Sequence, residues 1–149
     1  MKRIISTAWI VILLMLLCCC QKTASKIQLH QPEDQITRIV FMDHTGIHEG
    51  NAPIEILVAE EDKTVAELRN DLKEIDCYEF RNDPATSYGY LYIEVFYEDG
   101  AVDVIGTDML EYRSANGKTE DVYDGWYYAD MDSMLALYEQ YTGRKPVIP

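Results

Sequence analysis

The stretch from Tyr90 to Gly106 has the sequence YLYIEVFYEDGAVDVIG and decides the fold. Apolar and polar residues alternate on both sides of Asp99-Gly100, a dipeptide typical of a two-residue type I′ turn. Such a turn places Tyr97 opposite Val102, and side chains directly opposite each other share one face of a sheet. The predicted core face of this antiparallel hairpin therefore carries Leu91, Ile93, Val95, Tyr97, Val102 and Val104.

The other face of the same hairpin is rich in aromatic side chains. Tyr90, Tyr92 and Phe96 alternate with the core residues, and a second aromatic group follows at 126–128. Exposed aromatic patches mark partner or ligand surfaces. We therefore predict a ligand-binding surface formed by Tyr90, Tyr92, Phe96 and Trp126. In the alternative, these rings cover the sheet or pack beneath the loop 82–89.

Two strands and a helix are predicted upstream of the hairpin. The first strand covers Gln35 to Met42, and alternation from Ile54 to Val58 indicates the second. Thr64 and Glu67 have the spacing of a capping box at the start of a helix. The helix carries a single apolar stripe at helical spacing, formed by Val65, Leu68, Leu72 and Ile75.

A second hairpin and a second helix are predicted downstream. The hairpin has Met109–Ser114 and Thr119–Tyr128 as arms, with Asn116-Gly117 as another primed-turn signal. The helix starts at an aspartate cap, Asp130 or Asp132. Its apolar stripe consists of Met131, Met134, Leu135 and Tyr138, and Gly143 follows as the C′ residue.

These elements predict the fold class. Strands joined by tight turns form antiparallel sheets, and an amphipathic helix needs a sheet face to cover. We therefore expect an α+β domain over residues 35–145, with an antiparallel sheet of about four to six strands and two amphipathic helices packed on one face.

The N-terminus has the pattern of a secretory leader. Lys2 and Arg3 precede an apolar run from Ile4 to Leu17. That run is shorter than the roughly 20 residues that cross a bilayer as a helix. The pattern indicates a signal peptide, and an uncleaved signal-anchor is the alternative interpretation.

Three cysteines follow the apolar run. Leu17-Cys18-Cys19-Cys20 resembles a bacterial lipobox, in which an apolar residue at −3 and small residues at −2 and −1 precede the lipid-modified cysteine. This resemblance implies a lipoprotein signal peptide over residues 1–19 and lipid attachment at Cys20, with Cys19 as the alternative. The protein would then be held at the extracytoplasmic face of the cell membrane.

The charge balance limits the partners. The chain has 13 basic and 26 acidic residues and a formal charge of −13, which argues against nucleic-acid binding because phosphate contacts need a basic surplus. Cleavage after residue 19 would remove Lys2 and Arg3 and lower the charge to −15. Residues 20–34 are polar without periodicity and are predicted to form a flexible stalk.

Few residues suggest chemistry. His44 and His48 are four apart, but glycines surround them and no third ligand lies nearby, so we predict no metal site. No nucleophile, phosphate-loop or dinucleotide motif occurs, and we predict neither catalysis nor a cofactor. Cys77 is the only cysteine beyond the leader, which excludes a disulfide within the domain, and its apolar neighbours indicate burial.

Several segments together resemble a known type of domain. Ile39-Val40-Phe41, the helix through Leu68 and Leu72, Tyr97-Glu98-Asp99-Gly100 and Gly125-Trp126-Tyr127-Tyr128 look like small extracytoplasmic domains of unknown function. Such domains occur in lipoproteins and membrane-anchored regulators of Gram-positive bacteria. The resemblance implies compartment and fold, and it supplies no catalytic residues.

The expected function is therefore that of a membrane-anchored surface lipoprotein. Its domain would act as a binding or accessory module for a protein, peptide or glycan, without catalysis. Two alternatives stay open, a small extracytoplasmic hydrolase and a sensor or regulatory subunit of a membrane complex.

Lipidation gives the first testable prediction. Mass spectrometry of membrane fractions from cells expressing the full chain should find an acylated N-terminal peptide that begins at Cys20 or Cys19. Cys20→Ser should abolish that peptide if Cys20 carries the lipid. A membrane-bound chain that retains Lys2 and Arg3 would instead establish the signal-anchor.

Overall fold

A computed structural model describes residues 24–44, 52, 54–59, 62–79, 90–120 and 127–146 of the chain. A short 3-10 turn at Glu33–Gln35 precedes the second strand. In chain order the elements are β1 (Ala24–Lys26), β2 (Ile36–Asp43), β3 (Ile54–Ala59), α1 (Asp62–Lys73), β4 (Asp76–Glu79), β5 (Leu91–Tyr97), β6 (Val102–Gly106), β7 (Leu110–Arg113), β8 (Thr119–Glu120), β9 (Tyr127–Ala129) and α2 (Met131–Thr142).

The strands form two antiparallel sheets. The larger has six strands in the order β3-β2-β5-β6-β7-β8, and the smaller has three in the order β1-β4-β9. The predicted α+β class is therefore confirmed. The second sheet was not foreseen, because its strands have only three or four residues each and pair across long stretches of sequence.

One face of the six-stranded sheet carries the core. Phe41 of β2 lies opposite Ile93 of β5, and the Phe41 ring meets the Tyr138 ring of α2 edge-on at 5.5 Å. Helix α1 lies against β2 and β3 on the same side, while β9 of the small sheet lies near β6 and β7. Two helices and the small sheet thus cover this face together.

The predicted stripe along α1 is buried, whereas in α2 Met134 and Tyr138 are buried and Met131 and Leu135 are only half-buried. The buried positions are Val65, Leu68, Leu72, Ile75, Met134 and Tyr138. Asp130 is the N-cap of α2 and accepts hydrogen bonds from the Ser133 backbone N–H (3.0 Å) and hydroxyl (2.8 Å). Helix α1 begins at Asp62, so the capping box predicted at Thr64 is wrong, since Thr64 lies within the first helical turn.

The hairpin register differs from the prediction by one residue on β6. Phe96 lies opposite Val102 and Val95 opposite Asp103. The loop has three residues rather than two, because the Tyr97 N–H bonds to the Ala101 carbonyl and positive φ occurs at Gly100 (86°). This arrangement is a type I turn closed by a left-handed glycine. Leu91, Ile93, Val95 and Tyr97 are buried as predicted, whereas Val102 and Val104 lie on the opposite face.

The second hairpin shows the same departure. Gly117 has φ 76°, and the Ser114 N–H bonds to the Lys118 carbonyl around another three-residue loop. The predicted arm from Thr119 to Tyr128 is wrong, because only β8 pairs with β7, while β9 pairs with β4 in the other sheet. Neither turn is primed, because no residue other than glycine has positive φ among the described residues.

Residues upstream of the predicted domain boundary belong to the fold. The sequence predicts a flexible stalk over 20–34, but β1 pairs with β4 and Ile27 is buried in the core. A three-residue edge strand shows no alternation by itself, and β4 lies about fifty residues away along the chain. The folded part therefore begins by Ala24. None of the helices in the described ranges is long and apolar enough to cross a membrane.

The shifted register brings a carboxylate into the core. Asp103 is buried and accepts hydrogen bonds at Oδ2 from the His30 backbone N–H (2.8 Å) and from the Tyr97 hydroxyl (2.5 Å). The His30 ring stacks on Tyr112 at 3.7 Å, which holds the segment after β1 against the large sheet. Burial raises the pKa of Asp103 above its ordinary value of 3.8 and also raises the pKa of Tyr97.

Asp103 gives a stability prediction with a defined sign. Asp103→Asn keeps one oxygen that can accept both hydrogen bonds, whereas Asp103→Ala leaves two donors unsatisfied and should lower the unfolding free energy by about 2 kcal/mol or more. Because the pKa is raised in the folded state, the contribution of Asp103 is greatest at low pH and is lost as the pH rises from about 3.8 through the raised value.

The test is urea unfolding of both variants between pH 3 and pH 8. The advantage of Asp103→Asn over the unsubstituted chain should grow as the pH rises through that window. A constant difference across the range would contradict a buried, ionising Asp103.

Candidate functional site

The side of the six-stranded sheet that faces away from the helices forms the candidate site, and we call it the aromatic face. Its members alternate with the core residues along β2, β5, β6 and β7. They are Arg38, Val40, Met42, Tyr92, Glu94, Phe96, Val102, Val104, Glu111 and Arg113. Val40 and Val104 are buried at its base, and the aromatic and charged side chains around them are half-buried.

Tyr92 is held in place on three sides. Its ring lies over Gly106, its cross-strand partner on β6, where an added Cβ would come within 2.6 Å of Tyr92 Cδ1. Its hydroxyl donates a 3.0 Å hydrogen bond to Asp108 Oδ2. The His44 ring meets it edge-on at 4.9 Å. Gly106 is therefore required by the flat packing of this ring and not by its own backbone angles.

Phe96 is paired with a cation. The Arg38 guanidinium lies 4.0 Å from the centre of the Phe96 ring, and these residues are directly opposite each other on β2 and β5. A guanidinium at this distance from an aromatic face is attracted by the ring quadrupole. The pair presents an aromatic surface with a positive charge above it.

A row of charges lies beside the aromatic residues. Arg113 contacts Glu94 at 3.9 Å and Glu111 at 3.0 Å, so one arginine on β7 bridges carboxylates on β5 and on its own strand. Partly exposed ion pairs of this kind add little to stability. They do leave the face with both charge signs close together, in a chain that is otherwise strongly acidic.

The structure brings together three of the four predicted ligand-binding residues. Tyr92 and Phe96 lie four residues apart on the same side of β5. Tyr90 is half-buried and directly precedes β5, and its carbonyl accepts a hydrogen bond from the His44 N–H at 2.8 Å. Trp126 lies outside the described residues, as do the lipid-attachment candidates Cys20 and Cys19. The aromatic side of β5 is thus as predicted, although its partners on β6 differ.

Sequence reasoning missed the residues that surround the rings. Arg38, His44 and Asp108 contact Phe96 or Tyr92, but nothing in their local sequence indicates a site. Arg38 and Phe96 are 58 positions apart, and only the pairing of β2 with β5 makes them neighbours. An arginine within an alternating strand was the available signal, because a charged residue there indicates a solvent-facing side.

A second surface feature lies beside α1. A depression of about 430 Å³ is lined by Glu33, Asp34, Ile36, Val65, Ala66 and Arg69. Glu33 contacts both Lys73 and Arg69, the latter at 2.6 Å, and the hydrogen bond from Lys73 lowers the pKa of Glu33. Arg69, the cation that lines this depression, is therefore already engaged by a carboxylate of the same chain.

The residues considered for metal and thiol chemistry have other environments. His48 lies outside the described residues, and the part of the chain that is described contains no group of three or more metal-ligating side chains. Cys77 is buried as predicted. Its thiol donates to the Ser25 carbonyl at 3.2 Å, and burial raises its pKa, which keeps the less reactive thiol form.

Comparison with protein-family models, curated proteins and solved structures gave no match for this chain.

The packing of Tyr92 on Gly106 gives a prediction about the site. Gly106→Ala should lower the unfolding free energy by about 1–3 kcal/mol, because the new methyl group collides with the Tyr92 ring. In a Tyr92→Ala background the loss should be much smaller, because only the 3.1 Å contact between the new methyl group and Asp108 Oδ1 remains.

A double-mutant cycle by urea unfolding measures this coupling. Equal effects of Gly106→Ala in both backgrounds would show that the ring does not rest on the glycine.

Proposed function

We propose that this protein is a surface lipoprotein, anchored through a lipid on Cys20, and that its aromatic face binds a protein or peptide ligand outside the cell. In this proposal the domain binds and does not catalyse. The observation that carries the binding role is the placement of Tyr92 and Phe96, half-buried, on the sheet side away from both helices.

The composition of the face supports a protein or peptide more than a glycan. Tyrosine and arginine are enriched at the energetic centres of protein interfaces, and here both occur beside a phenylalanine. Arg38 already covers one side of the Phe96 ring, which reduces the bare aromatic area for a sugar ring to stack on. Positively and negatively charged side chains lie close together on the aromatic face, so a partner segment can be matched by charge as well as by shape.

The carboxylates of the face support binding over catalysis. Glu94 and Glu111 are paired with Arg113, and Asp108 accepts from the Tyr92 hydroxyl. Each of these acids therefore already has a partner within the chain that fixes its position.

The proposal is tested by site-specific photo-crosslinking in cells that express the full chain. Benzoylphenylalanine at position 96 should capture a ligand whose mass identifies it as protein, peptide or glycan. The same group at Tyr141, a half-buried position on α2, serves as the matched control and should not capture it.

Affinity of the captured ligand then gives the magnitude. Tyr92→Ala and Phe96→Ala should each weaken binding by about 1–2 kcal/mol or more, which corresponds to roughly 5- to 30-fold in Kd. Both should reduce stability less than Ile93→Ala, which removes a buried core side chain. Equal capture at positions 96 and 141, or unchanged affinity in both variants, would refute the assignment of this face.

A further inference from the structure

The folded domain starts very close to the proposed lipid. If Cys20 carries the anchor, which is the assumption taken from the proposed function, only residues 21–23 separate it from Ala24 at the start of β1. An extended chain advances about 3.3–3.6 Å per residue, so the lipidated cysteine lies within roughly 14 Å of β1. A domain of this size has a radius of gyration of about 13–14 Å, and a tether this short cannot let it turn over freely.

β1 forms the edge of the three-stranded sheet, and one side of that sheet faces inward. Ser25, Cys77 and Ala129 lie in register across β1, β4 and β9, with Cys77 and Ala129 fully buried. The next row consists of Ala24, Tyr78 and Tyr128 and lies on the opposite side, because side chains alternate along a strand.

The outward row carries a pair of tyrosines. The rings of Tyr78 and Tyr128 are 5.7 Å apart, and both side chains are half-buried. They are in register with Ala24, the first described residue after the proposed anchor. Tyrosine is enriched at the level of lipid headgroups, where its ring meets apolar chains and its hydroxyl stays hydrated.

We infer that the outer side of the three-stranded sheet is the membrane-facing side of the domain, and that Tyr78 and Tyr128 lie in the headgroup layer of the bilayer that holds the lipid. The short tether raises the effective concentration of the tyrosine pair at the surface to the order of millimolar, so a weak intrinsic affinity is enough for contact.

The charges beside the tyrosine pair do not favour contact with anionic lipid. Lys26 contacts Asp76 at 3.0 Å and Glu74 at 3.9 Å, so the one cation within the described strands β1, β4 and β9 is already compensated. Contact with anionic headgroups would gain nothing from it and would meet the acidic charge of the whole chain. Zwitterionic phosphatidylcholine vesicles are therefore the probe surface, because they allow contact without that repulsion.

This orientation also determines where the aromatic face points relative to the membrane. The small sheet covers the inner side of the large one, with β9 near β6 and β7, so its outer side and the aromatic face lie on opposite sides of the shared core. With Tyr78 and Tyr128 toward the lipid, Tyr92 and Phe96 point away from it.

Depth-dependent fluorescence quenching tests the inference on the full chain, processed in a bacterial host and reconstituted from detergent into phosphatidylcholine vesicles with brominated acyl chains. Trp126→Phe leaves the processed chain without tryptophan, because Trp9 lies in the leader. Tyr78→Trp then introduces the probe, Phe96→Trp is the matched control on the aromatic face, and Tyr128→Trp is a second probe should the first variant fail to fold.

Tryptophan at 78 or 128 should shift to shorter wavelength and be quenched by the brominated lipid, whereas tryptophan at 96 should be unaffected. Protein that floats with the vesicles but shows no quenching at 78 and 128, or shows equal quenching at 96, would overturn the inferred orientation while leaving the lipid anchor intact. Protein that lacks the acylated Cys20 peptide and does not float would overturn the anchor and the orientation together.

Discussion

The left-handed backbone at Gly100 sets the register on which the arrangement of the large sheet depends. With φ at 86°, this glycine closes a three-residue loop, and the Asp99 carboxylate supports the loop by accepting the Ala101 N–H at 2.9 Å. A loop of three residues places Val95 opposite Asp103, whereas a loop of two would place it opposite Val104. Since side chains alternate along a strand, that single residue decides which side of β6 enters the core.

Two consequences of this register appear on opposite faces of the sheet. On the inner face, Asp103 is buried and accepts hydrogen bonds from the His30 N–H and the Tyr97 hydroxyl. The segment after β1 is thereby tied to the large sheet, which makes residues 24–31 part of the domain. On the outer face, Gly106 comes opposite Tyr92 and leaves room for the ring to lie flat. The packing of Tyr92 in the candidate site and the attachment of residues 24–31 to the large sheet therefore both depend on the turn at Gly100.

The two sheets have different roles, and this explains how a small chain can have two distinct surfaces. Both helices and the three-stranded sheet are used to cover the inner face of the large sheet, so none of these described elements covers the aromatic face. As a result, apolar side chains of the aromatic face stay near solvent. The ion pairs of Arg113 and the Arg38–Phe96 contact reduce their exposure. A membrane on one side and a ligand on the other fit such a layout.

The sequence by itself determined the features that depend on short-range periodicity. The buried stripe of α1, an aspartate cap for α2, the left-handed Gly143 and the inward side of β5 all follow from patterns within a dozen residues, and the structure has them. Tertiary structure alone decided the rest. Turn length is a matter of backbone angles that Asp99-Gly100 and Asn116-Gly117 do not distinguish. The pairing of β1 with β4, and of Arg38 with Phe96, joins residues about fifty or more positions apart, whose proximity comes from closing the core and leaves no local trace in the sequence.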